Sequence, residues 1–211
     1  LVTLFPGRSQ DSLRNRAYVL TKLKNNEWVK DEVVAILDIE CSDLNAYGGF
    51  LLTWALAYVD KENTIKSACI KKKEISKGDF DKVLLQSLIA ELQKIDVLVT
   101  YYGKRFDIPF IRSRALFHNL DFPTIGTIKH IDLYDSVKHK LKLPRNTLDM
   151  ATNFLGIEGK NHVDMGIWLK AKYGNQESLE YILDHNIRDV EITRELYSRL
   201  LPVVKFTKGA L

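Results

Sequence analysis

The chain has 211 residues, a formal net charge of +4 at pH 7, 45% hydrophobic residues and 27% charged residues. This length suits one domain with a sizeable core and is short for two, and the composition is typical of a globular protein. No run approaches the roughly 18 apolar residues of a membrane span, so the sequence predicts no membrane protein, and its mild basicity is compatible with a polyanionic partner.

The cysteines and the N-terminus carry little information about function. Cys41 and Cys69 lack the paired spacing of a disulfide scaffold or a zinc site. The first ten residues lack the layout of a signal peptide, so we expect an intracellular, cytoplasmic location by default. Since the sequence begins at Leu1 rather than Met, a piece of a longer protein stays an open alternative.

The N-terminal part is predicted to differ from the rest of the chain. Residues 1–30 are expected to form an extension in which Asn25-Asn26 joins Tyr18–Lys24 to Trp28–Lys30 as a short hairpin. Residues 31–205 are expected to form the main domain.

The order of the predicted elements indicates the fold class. Val33–Glu40 is apolar at both parities, which is typical of a strand covered on both faces. Further strands are predicted at Phe50–Asp60, Thr64–Lys71, Asp96–Tyr101 and Thr127–Leu133, with Lys71–Lys73 ending an exposed strand. Helices are predicted at Asp79–Lys94, Pro109–Phe117, Thr147–Leu155, Gly166–Tyr173 and Gln176–Leu200. The first three strands are expected to form an antiparallel meander, and the alternating helices and strands that follow are expected to add parallel strands. This order predicts an α/β fold with a mixed sheet flanked by helices.

Two carboxylates end the first buried strand. Residues two apart on a strand share a face, so Asp38 and Glu40 should project together, in line with Val34 and Ile36. Two adjacent carboxylates repel each other and raise each other's pKa unless a cation lies between them. Mg²⁺ prefers such oxygen ligands. The alternative is a strand end at which both acids are hydrated.

Two further acids lie in settings that suit a buried site. Asp107 follows a buried strand at the start of the helix that Pro109 leads. Asp189 lies on the last helix, with His185 one turn before it, on or beside the packed face. The alternative for each acid is a helix cap or a salt bridge.

Three motifs resemble those of one family. They are "LDIEC" with Asp38 and Glu40, "YYGKRFDIPFI" with Asp107, and "HNIRDVEIT" with Asp189, about 70 and about 80 residues apart. In this order they resemble the DEDD-type 3′–5′ exonucleases, which have a ribonuclease H-like fold. The first motif is most similar in form to the proofreading domain of family B DNA polymerases. The resemblance spans roughly residues 30–200.

The resemblance implies a reaction and its cofactors. It implies hydrolysis of phosphodiester bonds at the 3′ end of single-stranded DNA or RNA, with release of nucleoside monophosphates. It also implies two divalent cations, Mg²⁺ or Mn²⁺, one held by Asp38, Glu40 and Asp189 and the other by Asp38 and Asp107. His185 would position or deprotonate the attacking water.

The chain departs from the family pattern at two positions. The second motif of the family has Asn where this chain has Tyr102. In the third motif, one branch of the family has Tyr four residues before the Asp and the other has His five residues before it. Here His185 stands four residues before Asp189, and Asp184 occupies the other position.

Residues next to the motifs are predicted to bind the substrate. The candidates are Cys41, Ser42, Leu44, Tyr102, Lys104, Arg105 and Phe106. For the aromatic residues the alternative is a place in the core, and for the basic ones a solvated surface charge. Asp132 is expected to cap a helix or to support the site from outside the ligand set.

Two other functions compete with the exonuclease. One is a catalytically weak nucleic-acid-binding module of the same fold, and the other is a proofreading fragment of a larger polymerase. The sequence predicts no particular protein partner.

Overall fold

A computed structural model describes residues 32–59, 64–124, 126–158 and 164–204. The strands are β1 (Val34–Cys41), β2 (Leu51–Tyr58), β3 (Ile65–Cys69), β4 (Val97–Thr100) and β5 (Lys129–Asp132). The helices are α1 (Lys72–Lys77), α2 (Lys82–Leu92), α3 (Asp107–Phe117), α4 (Leu133–Lys140), α5 (Leu148–Phe154), α6 (Met165–Lys172) and α7 (Gln176–Leu200). The hairpin predicted before residue 31, the turn at 61–63 and His162 lie outside the described residues.

The five described strands form one mixed sheet in the order β3-β2-β1-β4-β5. β1, β2 and β3 pair antiparallel, whereas β4 and β5 run parallel to β1. This arrangement confirms the predicted fold class of three antiparallel strands followed by parallel ones. The carboxyl ends of β1, β4 and β5 therefore meet at one edge of the sheet.

Both faces of the sheet are covered, as the apolar residues at both parities of β1 predict. Leu37 and Ile39 pack on one face with apolar residues of α2 and α3. Val34 and Ile36 pack on the other face with residues of α4, α5 and the C-terminal half of α7. Asp38 and Glu40 continue this second row, so the strand carries its two carboxylates towards α7.

Two helices of the structure, α1 and α4, were not predicted from the sequence. Lys71–Lys73 do not end a strand: β3 ends at Cys69 and α1 begins at Lys72. The Glu74 carboxylate accepts a hydrogen bond of 2.7 Å from the Lys71 amide, so a capping bond starts a helix where the lysine run alone gave no helical signal.

The second difference is α4, a helix that the prediction missed. The strand predicted at Thr127–Leu133 ends at Asp132, and α4 follows it without a loop. Asp132 accepts a hydrogen bond of 3.1 Å from the Tyr134 amide and so caps the helix.

Among the described helices, even the 25-residue α7 lacks an apolar stretch suited to crossing a bilayer.

A substitution at Gly103, in the turn after β4, tests the close packing at this edge of the sheet. A Cβ on Gly103 would overlap Thr100 Oγ1 and lie 2.5 Å from Thr100 Cβ. Since Thr100 is fully buried, Gly103→Ala should lower the free energy of unfolding by about 1–3 kcal/mol, measured by urea denaturation. Gly48→Ala is the matched control, because a Cβ there has no atom within 4 Å. Equal midpoints for the two variants would contradict the packing argument.

Candidate active site

Three potential metal ligands lie together between β1 and α7. His185 Nε2 is 3.7 Å from Glu40 Oε1 and 3.7 Å from Asp189 Oδ2. One ligand atom from each of the three residues lies within 4.8 Å of the other two. Asp189 is buried, and Glu40 and His185 are partly buried. Because His185 and Asp189 are one helical turn apart, α7 presents both side chains to the strand, where the Glu40 and Asp189 carboxylates could hold one cation.

Asp38 reaches α7 through a different residue. Asn186 Nδ2 donates a hydrogen bond of 2.6 Å to Asp38 Oδ2. The Asn186 Oδ1 accepts a hydrogen bond of 3.1 Å from Thr53 Oγ1 on β2, which pairs with β1. Asn186 has no exposed surface, so its amide is held between the two strands. The bridge orients the Asp38 carboxylate.

Asp107 completes the acidic edge from α3. Burial raises its pKa to about 7, and the charge of Asp132 contributes in the same direction. Hydrogen bonds from its own backbone amide and that of Ile39 oppose this rise in pKa. Ile39 lies between Asp38 and Glu40, so Asp107 stands beside the end of β1. An Asp whose pKa is near 7 is partly protonated at neutral pH unless a cation approaches it.

The negative charge of the neighbouring carboxylates also acts on the thiol of Cys41. Burial raises the pKa of Cys41 well above its usual value, and the charges of Asp107, Glu40 and Asp38 raise it further. All three carboxylates are therefore close enough to act on one atom. The structure brings the carboxylates predicted from the motifs to one edge of the sheet.

Asp132 supports the turn that follows β4. Its carboxylate accepts hydrogen bonds of 2.7 Å from the Tyr102 amide and 3.0 Å from the Lys104 amide, besides capping α4. Tyr102 has a φ of 69°, a region that residues other than Gly rarely occupy. The expected capping role of Asp132 is confirmed, and these bonds offset the strained backbone at Tyr102.

The basic residues of the second motif form a cluster with two tyrosines. Arg105 lies 5.6 Å from the Tyr102 ring centre and 5.0 Å from that of Tyr134. It also lies 3.0 Å from a carboxylate oxygen of Asp135, and Lys104 lies 3.3 Å from the other. Tyr102 is exposed. Ion pairs with Asp135 hold both cations at the surface, where a phosphate would have to compete with that carboxylate.

The other predicted substrate residues lie in two settings. The Ser42 amide donates a hydrogen bond of 2.9 Å to the Phe50 carbonyl, and Ser42 Oγ accepts one of 3.0 Å from the Phe50 amide. Leu44, in the same loop, is 86% exposed. Phe106 is partly buried and packs against Phe110, with 5.8 Å between ring centres. Phe106 therefore contributes to the core, as the sequence alternative allowed.

Sequence reasoning missed a buried charge network that holds this loop. Asp81 accepts hydrogen bonds of 2.7 Å from Arg114 Nη2 and 2.8 Å from the Leu51 amide, and lies 2.8 Å from His118 Nε2. Burial raises the pKa of Asp81, but the bonds from Arg114 and Leu51 outweigh it and leave the pKa below its usual value. Arg114 also donates to the Ala46 carbonyl at 3.4 Å. No motif signals these partners, because Leu51, Arg114 and His118 each lie 30 or more residues from Asp81 in the chain.

Asn186 is a second residue that sequence reasoning missed. Helical spacing does offer a signal, because Asn186 lies three residues before Asp189 and four after Ile182, on the face that packs. A buried amide on an apolar helical face needs a polar partner. The spacing does not indicate that this partner is Asp38.

Comparison with known proteins assigns the family. The sequence profile of the RNase_H superfamily matches residues 35–201, and the chain therefore belongs to this superfamily. The ribonuclease H-like fold predicted from the three motifs is thereby confirmed.

The similar proteins are DNA polymerases. The chain is 26% identical to a DNA polymerase of Methanocaldococcus jannaschii over 151 residues, which are 58% of the chain and 8% of the polymerase. It is 22% identical to a DNA polymerase of Thermococcus aggregans over 174 residues, 70% of the chain and 9% of that polymerase. The chain thus spans less than a tenth of these curated relatives.

A solved structure shares the fold. The family B DNA polymerase from the hyperthermophilic archaeon Pyrobaculum calidifontis matches with a TM-score of 0.66 at 19% identity, over 82% of this chain and 25% of that one.

The Asn186 bridge yields a stability prediction. Asn186→Ala removes the amide that joins Asp38 to Thr53 in a buried place, and should lower the free energy of unfolding by about 1–3 kcal/mol. The measurement is urea denaturation with EDTA present. Asn153→Ala is the matched control, because Asn153 donates to Asp149 at 3.1 Å on an exposed surface and should change the value by less than about 0.5 kcal/mol. A loss as small as the control's would mean that the bridge does not stabilise the fold.

Proposed function

We propose that this protein is a metal-dependent 3′–5′ exonuclease that hydrolyses phosphodiester bonds at the 3′ end of single-stranded DNA or RNA and releases nucleoside monophosphates. The observation that carries the proposal is the group of Glu40, His185 and Asp189, with ligand atoms within 4.8 Å, beside Asp38 and Asp107. Carboxylates gathered in a largely buried place repel one another, and a purely structural role has no use for them.

The donor set fits divalent cations. Carboxylate oxygens suit Mg²⁺ and Mn²⁺, and the two buried acids, Asp107 and Asp189, are poorly hydrated and gain from a cation. In the proposed arrangement Asp38, Glu40 and Asp189 hold one cation, and Asp38 with Asp107 holds the second. When bound, such cations supply a water of lowered pKa and neutralise charge on the departing oxygen.

His185 is proposed to take the proton of the attacking water at Nε2. This nitrogen is 3.7 Å from Glu40 Oε1 and 3.7 Å from Asp189 Oδ2, which places it at the edge of the carboxylate group. A neutral imidazole can accept a proton near pH 7. Its position four residues before Asp189 is compatible with this role, because residues one turn apart project from the same face of α7.

The substrate strand is proposed to approach between two loops. Ser42, Leu44 and the backbone at Cys41 follow the carboxylates on one side, and the cluster of Tyr102 and Arg105 lies at the end of β4 on the other. Exposed Leu44 and Tyr102 offer surfaces for the terminal base, and Lys104 and Arg105 offer positive charge for phosphates. Similarity to DNA polymerases supports a nucleic-acid substrate and the possibility that the domain proofreads within a larger polymerase.

A direct assay tests the proposal. Single-stranded DNA and RNA labelled at the 5′ end are incubated with the protein and Mg²⁺ or Mn²⁺. We expect a ladder shortened from the 3′ end, which EDTA abolishes and Asp38→Ala reduces by at least about 10³-fold, because removing a metal ligand costs several kcal/mol of transition-state stabilisation. Asp121→Ala, which removes an exposed carboxylate, is the matched control and should keep the wild-type rate.

The outcome separates the enzyme from a binding module. Tight binding of the labelled strands without a ladder under either metal would contradict the exonuclease and favour the catalytically weak module. A ladder that Asp38→Ala leaves unchanged would show a different active site.

The role of His185 has its own test. His185→Ala should lower kcat by about 10²- to 10⁴-fold with little change in KM, because the residue acts on the water rather than on the strand. Asp184→Ala is the control at the neighbouring helical position, where the side chain is exposed. An unchanged kcat for His185→Ala would remove this residue from the mechanism.

A further inference from the structure

A surface groove lies between α1 and the end of α6, and none of the four carboxylates lines it. Its volume is about 420 Å³, and its lining consists of Lys72, Leu169, Lys170, Tyr173, Gly174 and Asn175. Tyr173 is 74% exposed and Leu169 is 59% exposed, so an aromatic ring and an aliphatic side chain face solvent beside two lysines. The volume lies within the range of sites that bind small organic molecules, and it suits one nucleotide.

The surroundings of the groove are positively charged. Six lysines lie on or next to the two helices: Lys71, Lys72, Lys73, Lys77, Lys170 and Lys172. In the part of the chain that the structure describes, none of the six forms a salt bridge.

The carboxylates on and next to these elements are fewer than the six lysines; they are Glu74, Asp79, Asp164, Glu177 and Glu180. Glu74 is buried and accepts from the Lys71 amide, and Glu180 accepts from Gln176 at 2.8 Å. Glu177 is exposed on the first turn of α7. Positive charge therefore exceeds negative charge around the groove, as a phosphate backbone requires.

The groove lies at the same end of the sheet as the carboxylates. Glu40 pairs with Thr53, and Thr53 pairs with Cys69 at the end of β3. β3, which α1 follows after two residues, lies two strands and about 10 Å from β1. Along α7, nine residues separate Gln176 from His185, or about 14 Å. A stacked strand covers this distance in about four nucleotides.

We propose that this groove binds an unpaired nucleotide of the substrate strand about four nucleotides from its 3′ end. Tyr173 stacks on the base, and Lys72 and Lys170 contact the flanking phosphates. The inference rests on the proposed function, because the strand in the groove is the one whose 3′ end lies at the carboxylates. It extends the site from the terminal nucleotide to the body of the strand.

The chemistry of the groove favours a nucleic acid over an acidic peptide. A peptide of Asp and Glu needs only the lysines, whereas the exposed ring of Tyr173 adds a stacking surface that suits every base. The distance to the carboxylates also matches a continuous strand.

Binding without metal tests the inference. Fluorescence anisotropy in EDTA measures the affinity for single-stranded DNA of about 12 nucleotides and, by competition, for a trinucleotide. Tyr173→Ala should weaken binding of the longer strand about 5- to 150-fold, the effect of losing one stacked base. The double variant Lys72→Ala, Lys170→Ala should make the slope of log K against log salt less negative by about 1.4, for two lost phosphate contacts. For the trinucleotide, which is too short to reach the groove, variants and wild type should differ less than twofold.

Matched controls and the alternative occupant complete the experiment. The double variant Lys82→Ala, Arg199→Ala removes the same charge from exposed positions outside the groove and should change affinity less than twofold. Equal effects of the two double variants, or no effect of Tyr173→Ala, would overturn the inference. If a glutamate-rich peptide of equal charge displaces the strand and an abasic strand binds as tightly, the groove serves an acidic peptide and the inference is wrong.

The two proposals fail in distinguishable ways. Absence of a hydrolysis ladder would contradict the exonuclease without touching the anisotropy result. A wild-type ladder together with unaltered binding by the groove variants would contradict only the groove.

Discussion

The concentration of negative charge at the carboxyl end of β1 is the constraint on which the rest of the structure depends. Asp38 and Glu40 lie on the strand, while Asp107 and Asp189, both less than a tenth exposed, approach from two helices. Burial and like charges both raise the pKa of such groups, as they do at Asp107. The fold places fixed polar side chains beside these acids, including the imidazole of His185. The proposed chemistry uses this negative charge to bind divalent cations.

The scaffold achieves this arrangement because one helix serves two purposes. α7 packs its apolar residues, among them Ile182 and Val190, against the sheet, and the same buried face carries Asn186 and Asp189. The packing of this helix therefore also fixes the positions of Asn186 and Asp189. On the opposite side, Asp81 fixes the loop after β1 through Arg114, so the site lies between two rigidly held segments.

Several features were predictable because they follow from local periodicity. Because residues two apart on a strand share a face, Asp38 and Glu40 were predicted to project with Val34 and Ile36. Both carboxylates do contact α7, which packs on the face that carries Val34 and Ile36. The helical pattern predicted α7 with the bounds that the structure shows, Gln176–Leu200. The ends of elements were less predictable, since they depend on single side-chain bonds. The Glu74 bond to the Lys71 amide starts α1, and the Asp132 bond to Tyr134 starts α4.

The sequence by itself determined the class of fold and the acids worth testing, because strand alternation, helical period and motif order are properties of neighbouring residues. Only the tertiary structure decided which of those residues meet. Asn186 lies 148 residues from Asp38, and Lys72 lies about a hundred residues from Tyr173 across the groove. Contacts of this kind arise when separate elements pack against the same sheet, and packing depends on the shape of every side chain between them. No period or spacing along the chain encodes that shape.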